Sequence, residues 1–137
     1  SMDTAPRILL AEDNSDNQLI YATLLRHVGY DVRIAEHGAD AVAIAASWEP
    51  ALVLMDLALP GLDGWEAAAR IRASPRVGDV PILALTAHAM PEMRERALAA
   101  GFRDYLVKPI APQDVLVAVR AALGHAGGDT VAPTPFD

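Results

Sequence analysis

The chain has 137 residues, of which 53% are hydrophobic and none is cysteine, and its formal net charge is −7. This length and apolar content indicate one folded domain and exclude a largely disordered chain, and the lack of cysteine excludes disulfides and thiol chemistry. The negative charge argues against nucleic-acid binding, and no apolar run approaches the roughly 20 residues that span a bilayer. Without a signal-peptide pattern at the N-terminus, we expect a cytoplasmic protein that does not bind membranes.

Five short apolar runs alternate with segments of helical spacing. The runs are residues 7–11, 31–35, 52–55, 82–85 and 105–107. Four of them are nearly continuous, as expected for strands covered on both faces, whereas the second alternates apolar and charged residues and predicts an edge strand. The repeated β-α pattern predicts an α/β fold with a parallel five-stranded sheet and helices on both faces. The edge-like second strand favours the flavodoxin-like, doubly wound order 2-1-3-4-5.

Helix boundaries are predicted from capping signals. Ser15 with Gln18 fits a capping box, Asp63 with Glu66 fits its acidic variant, and Pro112 suits the first turn of the last helix. The expected left-handed C-terminal caps are Gly29, Gly101 and Gly124. The apolar stripes are Ile20, Leu24 and Val28 in the first helix, Met93, Ala97 and Ala100 in the fourth, and Val115, Leu116, Val119 and Leu123 in the fifth.

The predicted domain covers residues 7–124. We interpret residues 1–6 as an N-terminal extension, in which Ser1 resembles a cloning remnant before a natural start at Met2. Residues 125–137 are rich in Gly and Pro and predict a flexible tail or linker rather than a second domain.

Polar residues follow the ends of four predicted strands. Glu12 and Asp13 follow the first strand, Asp56 the third, Thr86 the fourth and Lys108, the only lysine of the chain, the fifth. The carboxyl ends of parallel strands share one edge of the sheet, so these side chains are expected to converge. Three carboxylates repel one another and need a proton or a cation, and an all-oxygen set with open positions suits Mg²⁺ better than Ca²⁺. A lysine and a hydroxyl beside them indicate phosphoryl transfer onto a carboxylate.

Four motifs at these strand ends stand in order along the chain. They are Ile8-Leu9-Leu10-Ala11-Glu12-Asp13-Asn14, Leu54-Met55-Asp56-Leu57-Ala58-Leu59-Pro60-Gly61-Leu62-Asp63-Gly64, Ala84-Leu85-Thr86-Ala87 and Tyr105-Leu106-Val107-Lys108-Pro109. With these motifs the chain resembles the receiver domain of bacterial two-component response regulators, either the single-domain type or the type found in hybrid histidine kinases. The resemblance extends over about residues 7–123.

The resemblance implies a phosphorylation site. Asp56 would accept a phosphoryl group from a histidine of a sensor kinase or a phosphotransfer protein, and Lys108 would contact that group. Mg²⁺ would be held by Asp13, Asp56 and the backbone carbonyl of Ala58, with Glu12 acting mostly through water. Such a domain catalyses only its own phosphorylation and dephosphorylation, so we expect no enzyme activity on a separate substrate.

The resemblance also implies a switch and two tuning positions. Thr86 and Tyr105 would form the switch pair, in which the hydroxyl moves toward the phosphoryl group and the aromatic ring turns inward. Ala58 and His88 stand where the family tunes the phosphoryl lifetime. Ala58 has no polar group to orient water, and His88 either orients or blocks water or is an ordinary exposed loop residue. The Lys108-Pro109 peptide is cis in the family.

Two alternatives stay open at this point. The charged residues Arg94 and Arg96 on the fourth helix, Asp104 before the fifth strand and Arg120 on the fifth helix mark either a solvated surface or a homodimer face. The rival function is a pseudo-receiver, which acts as a protein-interaction module without phosphorylation. The glycine-rich motifs of P-loop and dinucleotide-binding proteins are absent from the sequence.

Overall fold

The computed structural model describes residues 5–124, in which five strands alternate with five helices. The strands are β1 (Arg7–Ala11), β2 (Asp31–Ala35), β3 (Leu52–Asp56), β4 (Ile82–Thr86) and β5 (Asp104–Val107). The helices are α1 (Ser15–His27), α2 (Gly38–Trp48), α3 (Gly64–Arg72), α4 (Pro91–Ala99) and α5 (Pro112–Ala122). The predicted cloning remnant at Ser1 and the tail or linker at 125–137 lie outside the described residues.

The sheet is parallel throughout, with the order β2-β1-β3-β4-β5. The predicted doubly wound, flavodoxin-like α/β fold is therefore confirmed. Strands β3 and β4 are buried at every position, and β2 has two exposed residues, as predicted for an edge strand. Ala11 of β1 pairs with Met55 of β3, so the residues that follow these two strands emerge side by side.

Two apolar layers cover the two faces of the sheet. Helices α2, α3 and α4 pack on one face, where alanines such as Ala41, Ala45 and Ala67 are completely buried. Helices α1 and α5 pack on the other face through Leu25 and Val119. Burial of both sheet faces is what stabilises near-continuous apolar strands, since each alternate side chain reaches one of the two layers.

The first helix begins differently from its prediction. Its N-cap is Asn14, whose side-chain oxygen accepts a hydrogen bond from the Asn17 N–H at 2.9 Å, while Ser15 is already helical. The Ser15 capping box is therefore wrong. Asn is as good an N-cap as Ser, and the acidic turn that leaves β1 places Asn14 where its side chain faces the free N–H groups of the helix.

The buried face of α1 is also displaced from the predicted stripe. Its buried residues are Tyr21, Ala22 and Leu25. Ile20 is 46% exposed and Val28 is 37% exposed, so the stripe with Leu24 does not face the sheet. Helix α1 carries apolar residues on two adjacent rows with i, i+4 spacing, and the way the chain leaves β1 selects the row that packs.

The remaining helix signals agree better with the structure. Asp63 caps α3 and accepts a hydrogen bond from the Glu66 N–H at 2.9 Å, and Pro112 stands in the first turn of α5. Gly29, Gly101 and Gly124 have φ angles of 107°, 100° and 80°, as predicted for left-handed caps. In α5 Val115 and Val119 are buried as predicted, whereas α4 buries only Ala97 of its predicted stripe.

Candidate active site

The acidic residues lie together at the carboxyl end of the sheet. Glu12 follows β1 and is completely buried, Asp56 ends β3 and is 5% exposed, and Asp13 is exposed. One carboxylate oxygen from each lies within 4.8 Å of the others. The predicted convergence of the three carboxylates is what the parallel register of β1 and β3 produces.

Lys108 joins the two buried carboxylates. Its Nζ donates to Glu12 Oε1 at 2.8 Å and to Asp56 Oδ2 at 2.7 Å. The second oxygen of each carboxylate accepts a backbone N–H, from Asn14 to Glu12 Oε2 at 3.0 Å and from Ala58 to Asp56 Oδ1 at 2.8 Å. Every oxygen of both buried carboxylates is thus held, which fixes their orientation before any ligand binds.

Burial and charge act in opposite directions on this cluster. Burial raises the pKa of Glu12 because it disfavours the anion, and the hydrogen bond from Lys108 offsets part of that rise. Burial alone lowers the pKa of Lys108, but its hydrogen bonds to Asp56 and Glu12 outweigh this and leave the pKa raised. One ammonium faces three carboxylates, so with all of them ionised the cluster keeps excess negative charge that a cation can neutralise.

The donor chemistry of the cluster fits a hard divalent cation. The three carboxylates of Glu12, Asp13 and Asp56 offer oxygen atoms to an ion, directly or through water, and Asp13 is exposed to solvent. Oxygen ligands with room for water suit Mg²⁺, which gives up its hydration shell reluctantly. The cluster therefore fits a Mg²⁺ site.

Two glycines bring the loop after β3 against its neighbours. A Cβ on Gly64, the first residue of α3, would collide with the backbone oxygen of Asp56, and a Cβ on Gly38 would collide with that of Leu62. The starts of α2 and α3 therefore press directly on the segment that carries Asp56. Gly64 ends one of the motifs that carry the resemblance, but its sequence context predicts no close approach for it or for Gly38.

The predicted switch residues are linked through the backbone of His88. Thr86 is 3% exposed, and its Oγ1 accepts the His88 N–H at 3.1 Å, while the Tyr105 hydroxyl donates to the His88 carbonyl. Tyr105 is 5% exposed, so its ring lies inward, the position that the resemblance assigned to the switched state. The side chain of His88 is exposed.

Gln18 belongs to the site although its sequence context suggested a different role. Its Nε2 donates to the backbone carbonyl of Glu12 at 2.7 Å and lies 3.4 Å from Glu36 Oε2. The capping-box pattern had assigned this side chain to the start of α1. No sequence signal marks a glutamine that turns back to the preceding strand.

A cleft of about 360 Å³ opens beside Lys108, between α1 and the loop that precedes α5. Its lining residues are Asn17, Ile20, Tyr21, Lys108, Pro109, Ile110 and Pro112. The Lys108-Pro109 peptide in this loop is cis, as the resemblance implied. The cleft leaves the side of Lys108 accessible from solvent, as its 20% side-chain exposure also indicates.

The charged residues of α4, β5 and α5 do not form a single uniform face. Arg94 and Arg120 are exposed, but Asp104 is half-buried and its Oδ1 accepts the Tyr105 N–H at 2.7 Å. Arg96 of α4 lies over the Trp65 ring of α3, with its Cζ 4.1 Å from the ring centroid. Of these residues, Arg94 is exposed, Arg120 is exposed but interacts with the Tyr30 side chain, and Asp104 is only partly exposed.

Among residues 5–124, none of the helices combines the length and apolar character needed to cross a membrane.

The chain is similar to known proteins over almost all of the folded region. The family model described as the response regulator receiver domain matches residues 8–120. The sensor protein GacS of Pseudomonas syringae pv. syringae is 41% identical over 125 residues, which make up 89% of this chain and 14% of that protein. The transcriptional regulator RpaA of a Synechocystis species is 36% identical over 118 residues, 86% of this chain and 49% of that protein. The chain thus spans half or less of these curated relatives.

A solved structure agrees with these sequence matches. The receiver domain of the sensor histidine kinase PA1611 from Pseudomonas aeruginosa is 39% identical and has a TM-score of 0.81, with 89% of this chain and 100% of that chain covered. That structure has a magnesium ion coordinated in its active site cleft. The relative GacS and this solved structure each match 89% of the chain.

Proposed function

The chain belongs to the response regulator receiver domains of two-component systems, and on that premise we propose that Asp56 is its phosphorylation site. The donor is a phosphohistidine of a sensor histidine kinase or a histidine phosphotransfer protein, and the exchange takes place in the cytoplasm. The observation that carries the proposal is the environment of Asp56, a buried carboxylate held by Lys108 and the Ala58 N–H beside two further carboxylates.

In the proposed reaction an oxygen of Asp56 attacks phosphorus as the bond from phosphorus to the imidazole nitrogen breaks. The products are an aspartyl phosphate and a free histidine on the donor. Lys108 already binds Asp56 Oδ2, so its ammonium is placed to offset charge on the transferred group. The Ala58 N–H holds the other oxygen and orients the carboxylate.

The metal site has a defined part in this proposal. Asp13, Asp56 and the Ala58 carbonyl would hold Mg²⁺ directly, and Glu12 would act through water. Bound Mg²⁺ supplies positive charge that stabilises the phosphoryl oxygens during transfer. Glu12 is fully buried and bonded to Lys108, which supports an indirect role for it rather than direct ligation.

The output of phosphorylation would pass through Thr86 and Tyr105. Both side chains bond to the backbone of His88, so a Thr86 hydroxyl that turns to the phosphoryl group releases one end of this link. The segment between β4 and α4 would then move, and with it the surface formed by α4, β5 and α5. That surface binds partners or a second copy of the chain in a phosphorylation-dependent way.

The lifetime of the phosphoryl group would depend on Ala58 and His88. Both side chains are exposed near the site. The Ala58 side chain has no polar group that could orient an attacking water molecule. The His88 imidazole has ring nitrogens that could orient or block such a water molecule. Hydrolysis of its own aspartyl phosphate and formation of that bond are the reactions proposed for this domain, with no separate substrate.

Phosphorylation by acetyl phosphate tests the proposal. With Mg²⁺ the protein should gain the mass of one phosphoryl group, and Asp56→Asn or EDTA should abolish the gain. Asp79→Asn, at an exposed site in the loop before β4, is the matched control and should be labelled like the unchanged protein. Labelling that persists in Asp56→Asn places the acceptor elsewhere.

The same experiment decides the alternative function. A pseudo-receiver would remain unmodified by acetyl phosphate with Mg²⁺ and would bind its partners equally with or without the donor. The hydrogen bonds that Asp56 accepts from Lys108 and from the Ala58 N–H favour phosphorylation over this alternative.

A further inference from the structure

We propose that Gln18 is a positioning residue of the metal site, which anchors the turn that carries Glu12 and Asp13 and thereby sets the affinity for Mg²⁺. The inference rests on the proposed function in so far as it takes Mg²⁺ as the ion. It adds a residue from outside the carboxylate cluster that contacts neither the ion nor the phosphoryl group.

Gln18 contacts the turn through its side chain and its main chain. The side-chain amide donates to the Glu12 carbonyl at 2.7 Å, and the Gln18 N–H donates to the Asn14 carbonyl at 3.0 Å. The Glu12 N–H in turn donates to the carbonyl of Ala35, at the end of β2, at 2.9 Å. Both main-chain polar groups of Glu12 are therefore paired, one with the sheet and one with Gln18.

The turn needs this anchor because it lies just beyond the sheet. Strand β1 ends at Ala11, so the carbonyl of the completely buried Glu12 takes its partner from a side chain. A buried carbonyl without a partner loses its hydration without gaining a hydrogen bond in return. Without Gln18 we expect the carbonyl to rotate toward water, which moves the neighbouring Asp13.

The side-chain amide of Gln18 also suits this position because it carries no net charge. It donates to Glu12 and faces Glu36, whose Oε2 lies 3.4 Å from Nε2, without adding a charge next to the carboxylates. A cationic side chain here would compete with a metal ion for the negative potential of the cluster. An anionic side chain would be repelled by the Glu12 carbonyl and by Glu36.

The expected consequence is a loss of preorganisation. Partners that orient metal ligands from outside the ligand shell typically change metal affinity by 10–100-fold when removed. Gln18→Met keeps the length and helix propensity of the side chain but removes both donors. We expect the Mg²⁺ dissociation constant to rise about tenfold in this variant, at the lower end of that range, because the carboxylates themselves remain.

Two measurements on Gln18→Met test the proposal. Calorimetric titration gives its Mg²⁺ affinity, and amide hydrogen exchange of metal-free protein reports on the N–H groups of Glu12 and Asn14. We expect weaker binding together with faster exchange at these two amides. Gln113→Met, on an exposed site of α5, is the matched control and should change neither quantity.

A kinetic readout separates positioning from a general loss of structure. The Mg²⁺ concentration for half-maximal phosphorylation by acetyl phosphate should rise about as much as the dissociation constant. The maximal rate at saturating Mg²⁺ should stay within about twofold of the unchanged protein, because the acceptor and Lys108 are intact. If Gln18→Met is too unstable to study, Gln18→Ala replaces it with the same expectations.

The proposal is overturned by Mg²⁺ affinity within twofold of the unchanged protein, or by weaker binding with unchanged exchange at Glu12 and Asn14. Failure of the proposed function gives a different result, since the unchanged protein itself would then bind no Mg²⁺ or gain no phosphoryl group. Exchange in metal-free protein tests the anchor in either case.

Discussion

The two ends of the parallel sheet differ in the side chains that bond to the backbone of their loops, although Asp104 at the amino end also accepts a backbone N–H, from Tyr105. At the carboxyl end, acidic and hydroxyl side chains accept backbone N–H groups, namely Glu12, Asp56, Asp63 and Thr86. At the amino end, arginines donate to backbone carbonyls, namely Arg7 to Trp48, Arg26 to Val32, and Arg72 to Gly78, Val80 and Gly101. The difference follows the direction of the helices, whose unpaired N–H groups face the carboxyl end and whose unpaired carbonyls face the amino end.

The arginines at the amino end and the carboxylates at the carboxyl end have different effects on their surroundings. Arg7, Arg26 and Arg72 at the amino end bind neutral carbonyls at separate points, so each one ties loops together. Carboxylates at the carboxyl end converge on one point, and their mutual repulsion is only partly relieved by Lys108. The amino end therefore carries contacts that stabilise the fold, and the carboxyl end keeps an excess of negative charge that the proposed Mg²⁺ would neutralise.

Removal of Lys108 should have the largest effect on phosphorylation at the carboxyl end of the sheet. We expect Lys108→Met to lower the maximal rate of phosphorylation by acetyl phosphate by about 10²–10³-fold, as for loss of one preorganised group that stabilises transition-state charge. The rate is measured from the mass gain over time at saturating Mg²⁺. Arg94→Met, which removes an exposed cation, is the control, and a Lys108→Met rate within threefold of it would contradict the assignment.

Removal of Arg72 should destabilise the amino end of the sheet without changing the rate of phosphorylation. Its guanidinium bonds the carbonyls of Gly78, Val80 and Gly101, so Arg72→Met should lower the free energy of unfolding by about 2–3 kcal/mol. Phosphorylation of the folded variant should proceed at the unchanged rate. Urea denaturation measures the loss.

Arg70→Met is the matched control for that experiment. Arg70 is on the same helix but only forms an exposed ion pair with Glu66 at 3.3 Å, so its removal should cost less than about 0.5 kcal/mol. Equal losses in Arg70→Met and Arg72→Met would mean that the carbonyl contacts of Arg72 contribute little.

Thr86→Ala should separate phosphorylation from its effect at the surface. Without the hydroxyl, the His88 N–H loses its acceptor and Tyr105 keeps its own bond, so the two switch residues are no longer linked. We expect Asp56 to remain phosphorylatable, with loss of a coupling on the order of 1–3 kcal/mol to α4 and β5. Amide exchange with and without acetyl phosphate measures this coupling. Equal changes across α4 and β5 in both proteins would show that the signal bypasses Thr86.

Apart from the exposed controls, Asp13→Asn should have the smallest effect on stability among these variants. It removes one charge from a proposed direct ligand, so Mg²⁺ affinity should fall by more than the roughly tenfold expected for Gln18→Met. The stability of the metal-free protein should hold or rise by up to about 1 kcal/mol because repulsion is relieved. Calorimetric titration and thermal unfolding measure the two quantities. A drop in metal-free stability would mean that Asp13 forms a stabilising contact and is not held against repulsion.

The sequence by itself was sufficient to predict the fold and the convergence of the acidic residues with Lys108. Near-continuous apolar runs separated by helical segments are compatible with few architectures, and a parallel sheet brings all its strand ends to one edge. Glu12, Asp13, Asp56 and Lys108 were predicted to meet because each follows a strand, and the structure brings them together. Whether a residue follows a strand can be predicted from the neighbouring sequence alone, without knowledge of how the helices pack.

Only the tertiary structure decided the contacts that depend on helix rotation and on close approach. The rotation of α1 follows from the turn after β1, so its Asn14 cap, its buried row at Tyr21 and Leu25, and the use of Gln18 were not determined by spacing alone. The need for glycine at position 64 likewise depends on how near the start of α3 lies to Asp56. Periodicity identifies which residues can face the core, but two apolar rows on one helix are equivalent until the packing of the sheet selects one of them.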